Sequence, residues 1–363
     1  MNSSFWQGRK VFVTGHTGFK GGWLALWLEH WGATVCGYSL APELSPNLFE
    51  TLFPDRAPSF QPQDVRDRKA LADALQRSEA EVVFHLAAQP LVRRSYRDPV
   101  LTYETNVMGT VHLLEAVRQA PTVRAAVIVT SDKCYENREW PWGYREDEPM
   151  GGHDPYSSSK GCAELVASAY RRSFFSGGPQ GRRVALASAR AGNVIGGGDW
   201  SEDRLIPDCI RALLRREPIP VRNPLAVRPW QHVLEPLGGY LLLAETLYTG
   251  GETWCAPWNF GPRDEDALPV GTVADLVVKH WGEGTWTAAS EAGAAHEAHY
   301  LKLDCSKART HLKWTPVLRI DEAIKWTCEW YRLCRDGGGK AMKEFTVKQI
   351  DEYADLTGAR RGR

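Results

Sequence analysis

Short apolar runs alternate with helical stretches from the first residues of the chain. Arg9–Thr14 (RKVFVT) is a β-rich run that ends at glycines. Gly18–Trp31 follows, with Trp23, Leu24, Trp27, Leu28 and Trp31 at helical spacing on one face. The same reading predicts strands at Ala33–Tyr38, Glu81–Leu86, Arg124–Thr130 and Val184–Arg190. It predicts helices at Asp67–Gln76, Pro99–Ala120 and Pro155–Phe175. Pro155 suits a helix start, where its missing N–H leaves no bond unmade. The Pro-containing stretch Pro42–Pro62 reads as loop. Strands of this kind between helices predict an α/β fold with a doubly wound, Rossmann-type parallel sheet.

After Arg190 the rhythm loosens. Helices are expected at Ile206–Arg216, Leu234–Leu247, Val270–Trp281 and Asp321–Cys334, with a short strand near Trp258–Phe260. We expect residues 1–190 and about 228–262 to form the cofactor-binding Rossmann domain. Residues 191–227 and 263–350 would form a smaller, interleaved substrate-binding part, and 351–363 a tail.

Charge narrows the partners. Lys+Arg and Asp+Glu both number 44 in 363 residues. A neutral chain has no global positive field, which disfavours nucleic acid and anionic membranes. No apolar run approaches the length that spans a bilayer, and the start has no apolar leader. The 8 cysteines form no C-x-x-C pair and read as thiols of a reducing compartment, so a cytoplasmic enzyme is expected. No His/Cys cluster has metal spacing, and no metal is expected.

Candidate chemistry begins at Thr14-Gly-His-Thr-Gly-Phe-Lys-Gly21. Gly15, Gly18 and Gly21 lie between an expected strand and an expected helix, with Thr17, Phe19 and Lys20 among them. Glycines allow a sharp turn and close approach to a pyrophosphate, and the helix start supplies free N–H groups. This is the signature of a dinucleotide site. The end of the second strand, Val35–Leu40, has no acidic residue, so its sequence leaves NAD and NADP both open; Ser39 suits a hydroxyl or a phosphate. Ala87 and Ala88 follow the third strand, at the edge expected to face the cofactor. His85 there reads as packed rather than catalytic.

Of the 12 tyrosines, Tyr156 has a lysine four residues on, Lys160. On a helix the two share a face. An ammonium there, with a nicotinamide cation nearby, would lower the phenol pKa and let it remove a hydroxyl proton. Ser131-Asp132-Lys133 follows the strand Arg124–Thr130, where open α/β sheets place active residues. An acid and a base beside a serine exceed what alcohol oxidation requires, and they match an elimination of water.

The runs FWQGRKVFVTGHTGFKGGWL, HLAAQPLVRRSYRDP, TNVMGTVHLLEA, TSDKCYEN, DPYSSSKGCAE and RAGNVIGGGDW closely resemble CDP-glucose 4,6-dehydratases, extended members of the short-chain dehydrogenase/reductase superfamily. The resemblance spans Phe5 to about Tyr331. It implies NAD as cofactor and a nucleotide sugar, CDP-glucose, as substrate, oxidised at C4, dehydrated across C5 and C6, and reduced at C6. It implies Tyr156, Lys160 and Ser131 for oxidation, Lys133 as the C5 base and Asp132 as the acid for the C6 oxygen. Asp64 and Val65 resemble the superfamily's adenine-contacting pair, although a solvated loop carboxylate is the other reading. Asn193 and Arg228 match pyrophosphate contacts; Arg204 and Arg222 are candidates for the same role or plain surface charges. A homodimer or dimer of dimers is expected. An epimerase, or a dehydratase of another nucleotide-hexose, is the alternative.

Overall fold

Six strands lie side by side in the order Pro257–Asn259, Ala185–Arg190, Ala125–Val129, Val82–His85, Lys10–Thr14, Thr34–Tyr38. Every neighbouring pair is parallel. The computed structural model describes residues 1–56, 60–176, 183–289 and 300–358. Val82–His85, Ala125–Val129 and Ala185–Arg190 are buried at every position, as strands covered on both faces must be. From Lys10–Thr14 the chain steps outward to Thr34–Tyr38, then returns to the other side at Val82–His85. That reversal opens a crevice at the carboxyl ends of the strands. This is the expected doubly wound α/β fold.

The Phe19–His30 helix is buried at every position from Gly21 to Leu28, not along one stripe. The reason lies at the far end of the chain. Residues 351–363 were expected to be a tail, but the Ala341–Leu356 helix runs through that boundary with Ile350 and Tyr353 fully buried. Tyr353 packs edge-to-face on Trp27, with ring centroids 5.7 Å apart. Its hydroxyl donates to Glu235 Oε2 at 2.8 Å. Glu235 Oε1 accepts from the amides of Val317 and Leu318 at 2.8 and 2.7 Å. One buried carboxylate thus ties the C-terminal segments to the Leu234–Gly250 helix. Residues 359–363 lie outside the described residues.

Two other expectations change. The Pro42–Pro62 stretch contains a short helix, Leu48–Leu52, capped by Asn47 Oδ1, with Leu48, Phe49 and Leu52 buried. The Pro99–Ala120 helix is interrupted by a wider turn at Glu104–Met108. The looser second half is held by small pairings: Ile219–Arg222 with Trp286–Ala289, and Val227–Pro229 with Ala267–Pro269. The Leu205–Arg215 helix, Ile219–Arg222 and Val227–Pro229 supply residues to the wall of the site.

Candidate active site

The buried strand Ala125–Val129 delivers Ser131 into a short turn over Asp132–Cys134. Ser131 Oγ accepts from the Lys133 amide at 3.2 Å and donates to Asp132 Oδ1 at 2.9 Å. Asp132 is 2% exposed, and among the described residues its Oδ2 has no hydrogen-bond partner. Gly192 closes over it: a Cβ at 192 would lie 1.8 Å from that oxygen. Lys133 is half-buried beside them.

Asp154 caps the Pro155–Tyr170 helix through the Ser157 amide at 2.9 Å. This fixes the first turn, which carries Tyr156, and the next, which carries Lys160; both are buried. Burial pushes Tyr156 up to about 12; Ser131 pulls against that shift and Asp132 adds to it. Burial pulls Lys160 down to about 8, opposed by Glu164. The depression expected of Tyr156 calls for a nicotinamide cation beside Lys160; in the chain alone, burial is the largest influence on the phenol.

The glycine turn is built for close backbone approach. Gly15 has φ +75°, and a Cβ there would lie 2.6 Å from the Ala87 amide nitrogen. A Cβ at Gly21 would lie 2.0 Å from the Gly15 carbonyl oxygen. Gly18 is the extended residue at the start of the Phe19–His30 helix. Thr17 Oγ1 donates to the Leu40 carbonyl at 2.9 Å, bracing the turn on the second strand's end. Ser39 there meets His16 Nδ1 at 2.9 Å, and Gly37 leaves room for the His16 ring. The second strand's end, where an acidic residue would contact ribose, holds a buried Ser39–His16 pair. Ala87 and Ala88 stand half-buried at the third strand's end. Val65 is buried, and the Asp64 carboxylate accepts from the Arg66 amide and Nε, both at 2.9 Å. His85 is enclosed between Thr14 Oγ1 at 2.7 Å and Thr110 Oγ1 at 3.2 Å, the packed role expected.

A cavity of about 720 Å³ opens beside the Ser131–Lys133 turn and Tyr156. Ser131, Asp132, Lys133 and Tyr156 line it with Phe19, Lys20, Asn193, Arg204, Arg222 and Arg228. Asn193 sits at φ 48°, a left-handed turn that asparagine tolerates. Arg204 pairs with Asp199 at 2.8 Å, and Arg222 with Asp203 at 3.0 Å. Burial, with Lys160 and Arg204 nearby, pulls Lys20 down to about 7. Asp64, Val65, Ala87, Ala88, Thr17, Lys160 and the three glycines do not line this cavity; Gly15, Ala87 and Ala88 follow strand ends, Gly18 and Gly21 stand at the start of the Phe19–His30 helix, and Asp64 and Val65 precede the Arg68–Ser78 helix. Among the described residues no group of three or more His, Cys, Asp or Glu could hold a metal ion.

Residues 12–246 match the family described as GDP-mannose 4,6 dehydratase. A CDP-glucose 4,6-dehydratase of Salmonella typhimurium is 52% identical over 98% of this chain and 99% of its own. A dTDP-glucose 4,6-dehydratase of Streptomyces antibioticus is 30% identical over 77% of each chain. The solved dTDP-glucose 4,6-dehydratase of Streptomyces venezuelae, with NAD and TYD bound, superposes with TM-score 0.74 at 24% identity, over 92% of this chain and 99% of that one. The chain belongs to the nucleotide-sugar 4,6-dehydratase family.

Around the positions expected of a 4,6-dehydratase lies a second set of residues that sequence reasoning missed. Glu164 is fully enclosed beneath the site. It accepts from Thr130 Oγ1 at 2.5 Å, Ser188 Oγ at 2.6 Å and Arg190 Nη2 at 2.9 Å. Arg190 also donates to Tyr135 Oη at 2.6 Å, which itself donates to Asn259 Oδ1 at 2.8 Å. One signal was available: Glu164 stands four residues beyond Lys160, on the same helix face. Its partners are 24 to 34 residues away in sequence, and no local pattern announces them.

Proposed function

We propose that this chain converts CDP-glucose to CDP-4-keto-6-deoxyglucose and water, with NAD as its cofactor. One observation carries the reading: an acid–base pair, Asp132-Lys133, shares one cavity with Ser131, Tyr156 and four polar or cationic side chains suited to a pyrophosphate. An epimerase would not need that pair. The 52% identity to a CDP-glucose enzyme supports the choice of nucleotide.

The residues present fit a dinucleotide. Gly15 and Gly21 sit where a Cβ would strike backbone, and the Phe19–His30 helix begins beside them. Thr17, Gly18, Phe19 and Lys20 would hold the pyrophosphate, Asp64 and Val65 the adenine end, and Ala87, Ala88 and Lys160 the ribose and nicotinamide end. NAD, when bound, supplies the acceptor for hydride from C4 and the donor that returns it to C6. Tyr156 takes the C4 hydroxyl proton and Ser131 orients that hydroxyl. The resulting ketone acidifies C5–H, and Lys133 accepts the proton. Asp132 protonates the departing C6 oxygen, water leaves, and Lys133 gives its proton back to C5 when C6 is reduced. Asn193, Arg204, Arg222 and Arg228 hold the sugar nucleotide; arginine forks suit phosphate oxygens.

We assign residues 1–190 and about 228–262 to cofactor binding, and 191–227 with 263–350 to the sugar nucleotide. We place the enzyme in the cytoplasm, as free cysteines at all 8 positions suit. Among the described residues no helix is long and apolar enough to cross a membrane. A homodimer, or a dimer of dimers, would cover Val100 and Leu165, which are 65% and 60% exposed on adjoining helices.

The test is one assay. CDP-, dTDP-, UDP- and GDP-glucose are each incubated with the protein, without added reductant, and loss of water is read by mass. CDP-glucose should react fastest. Inversion at C4 without water loss would replace this reading with an epimerase.

A further inference from the structure

The cavity has a charged wall that the chemistry at C4, C5 and C6 does not use. Asp208 stands in the first turn of the Leu205–Arg215 helix, and Arg222 ends the Ile219–Arg222 strand; both line the cavity. Arg204, at the head of that helix, lines the same cavity as Tyr156. Asp208 is four residues further, about 6 Å along the axis at 1.5 Å per residue. It therefore lies one turn beyond Arg204 on the same cavity wall, displaced along the helix from the turn that carries Ser131, Asp132 and Lys133.

Asp208 is held on two sides. Arg211 Nη2 donates to its Oδ1, and Arg222 Nη2 stands 3.5 Å from its Oδ2, an ion pair looser than a hydrogen bond. Arg222 Nη1 meanwhile donates to Asp203 Oδ1 at 3.0 Å. An acceptor and a forked donor thus stand side by side on the wall, with Pro207 and Pro220 lining the cavity beside them.

Such a pair distinguishes pyrimidines. Cytosine offers an amino donor at N4 beside acceptors at N3 and O2; uracil and thymine offer a carbonyl oxygen at position 4 and an N3–H. A carboxylate accepts from the cytosine amine but faces the position-4 oxygen of the others with two acceptors opposed. We propose that Asp208 and Arg222 read the base: Asp208 accepts from N4 and Arg222 donates to N3 or O2. The proposal rests on the CDP-glucose reading and supplies its selectivity. It assigns Arg222 to the base, leaving Arg204 and Arg228 for phosphate. With uracil or thymine the discrimination comes from two acceptors set against each other, the Asp208 carboxylate and the position-4 oxygen.

The experiment measures kcat/KM for CDP-, UDP-, dTDP- and GDP-glucose on the full chain and on Asp208→Asn. Asparagine keeps the shape but adds a donor that can serve a position-4 carbonyl. The CDP-to-UDP ratio should fall by roughly 100-fold, as expected for loss of discrimination worth 1–3 kcal/mol at each polar contact, with the change mainly in KM. Arg222→Gln should weaken CDP-glucose while leaving the enzyme folded. Free CDP and UDP, titrated calorimetrically into both variants, should repeat the ratio without catalysis. A wild-type enzyme that prefers CDP-glucose, with the same preference in Asp208→Asn, overturns this proposal and leaves the function standing. A wild-type enzyme with no preference for CDP-glucose overturns both. Guanine also presents amino and N–H donors, so GDP-glucose turnover equal to that of CDP-glucose would mean that the wall reads an amine and not cytosine, which overturns the assignment.

Discussion

Glu164 and Arg190 form an ion pair of 2.9 Å in which both side chains are under 5% exposed, beneath the turn that begins at Ser131. Glu164 also accepts from Thr130, the residue before Ser131, so the pair links the Tyr156–Lys160 helix to the strand end that carries Asp132 and Lys133. Removing one partner from a buried pair leaves the other charge without compensation. Glu164→Leu should therefore destabilise the fold by about 3–5 kcal/mol, measured by urea unfolding. Burial opposes the Glu164 charge, but Arg190 and the hydrogen bonds outweigh it and hold the carboxyl below its ordinary value. That stability is present above the ordinary carboxyl pKa and is lost as pH falls through the lower folded value.

Lys133→Ala should separate oxidation from elimination. In deuterated water, the C5 hydrogen of bound substrate should cease to exchange, and water loss should fall roughly 10²–10⁴-fold, the usual contribution of a positioned acid–base group. Tyr156→Phe should lose C4 oxidation and everything after it. Near-normal turnover by Lys133→Ala would move the base to Glu136, which lines the same cavity.

Gly192→Ala tests the placement of Asp132. The new Cβ would lie 1.8 Å from Asp132 Oδ2, so the carboxyl must move. A displacement near 1 Å at a reacting group can cost about 10²-fold in rate. We expect that loss in water elimination, with C5 exchange retained and the thermal midpoint changed little. Loss of exchange and elimination together would mean that Gly192 shapes the whole turn.

Three buried histidines should make the fold acid-sensitive. Burial pulls His16 down to about 4 and His85 and His232 to about 3, so all are neutral in the fold. The unfolded chain takes up protons at these side chains below about pH 6.5, and the folded chain does not. Their contribution is complete above that pH and is lost on the way down, at up to about 1.4 kcal/mol per pH unit for each histidine. Unfolding measured at steps between neutrality and pH 5 should show that slope, and His85→Gln should reduce it by roughly one third.

Local patterns carried the sheet and much of the chemistry. The all-buried Ala125–Val129 strand, the glycine turn and the spacing of Tyr156 and Lys160 are short-range features, and short-range sequence displays them. The Ser131-Asp132-Lys133 tripeptide could be read because a strand end presents consecutive residues to one crevice. What failed depended on partners far along the chain. The supposed tail is a helix because Tyr353 finds Trp27 and Glu235, more than 100 residues away. Burial is the largest influence on Tyr156 in the chain alone, a property of the surrounding packing that helical spacing does not display. Gly192 and Glu164 matter only through atoms that folding brings against them. Spacing fixes which side chains share a face; burial and long-range pairing fix their charge and position, and only the tertiary structure supplies those.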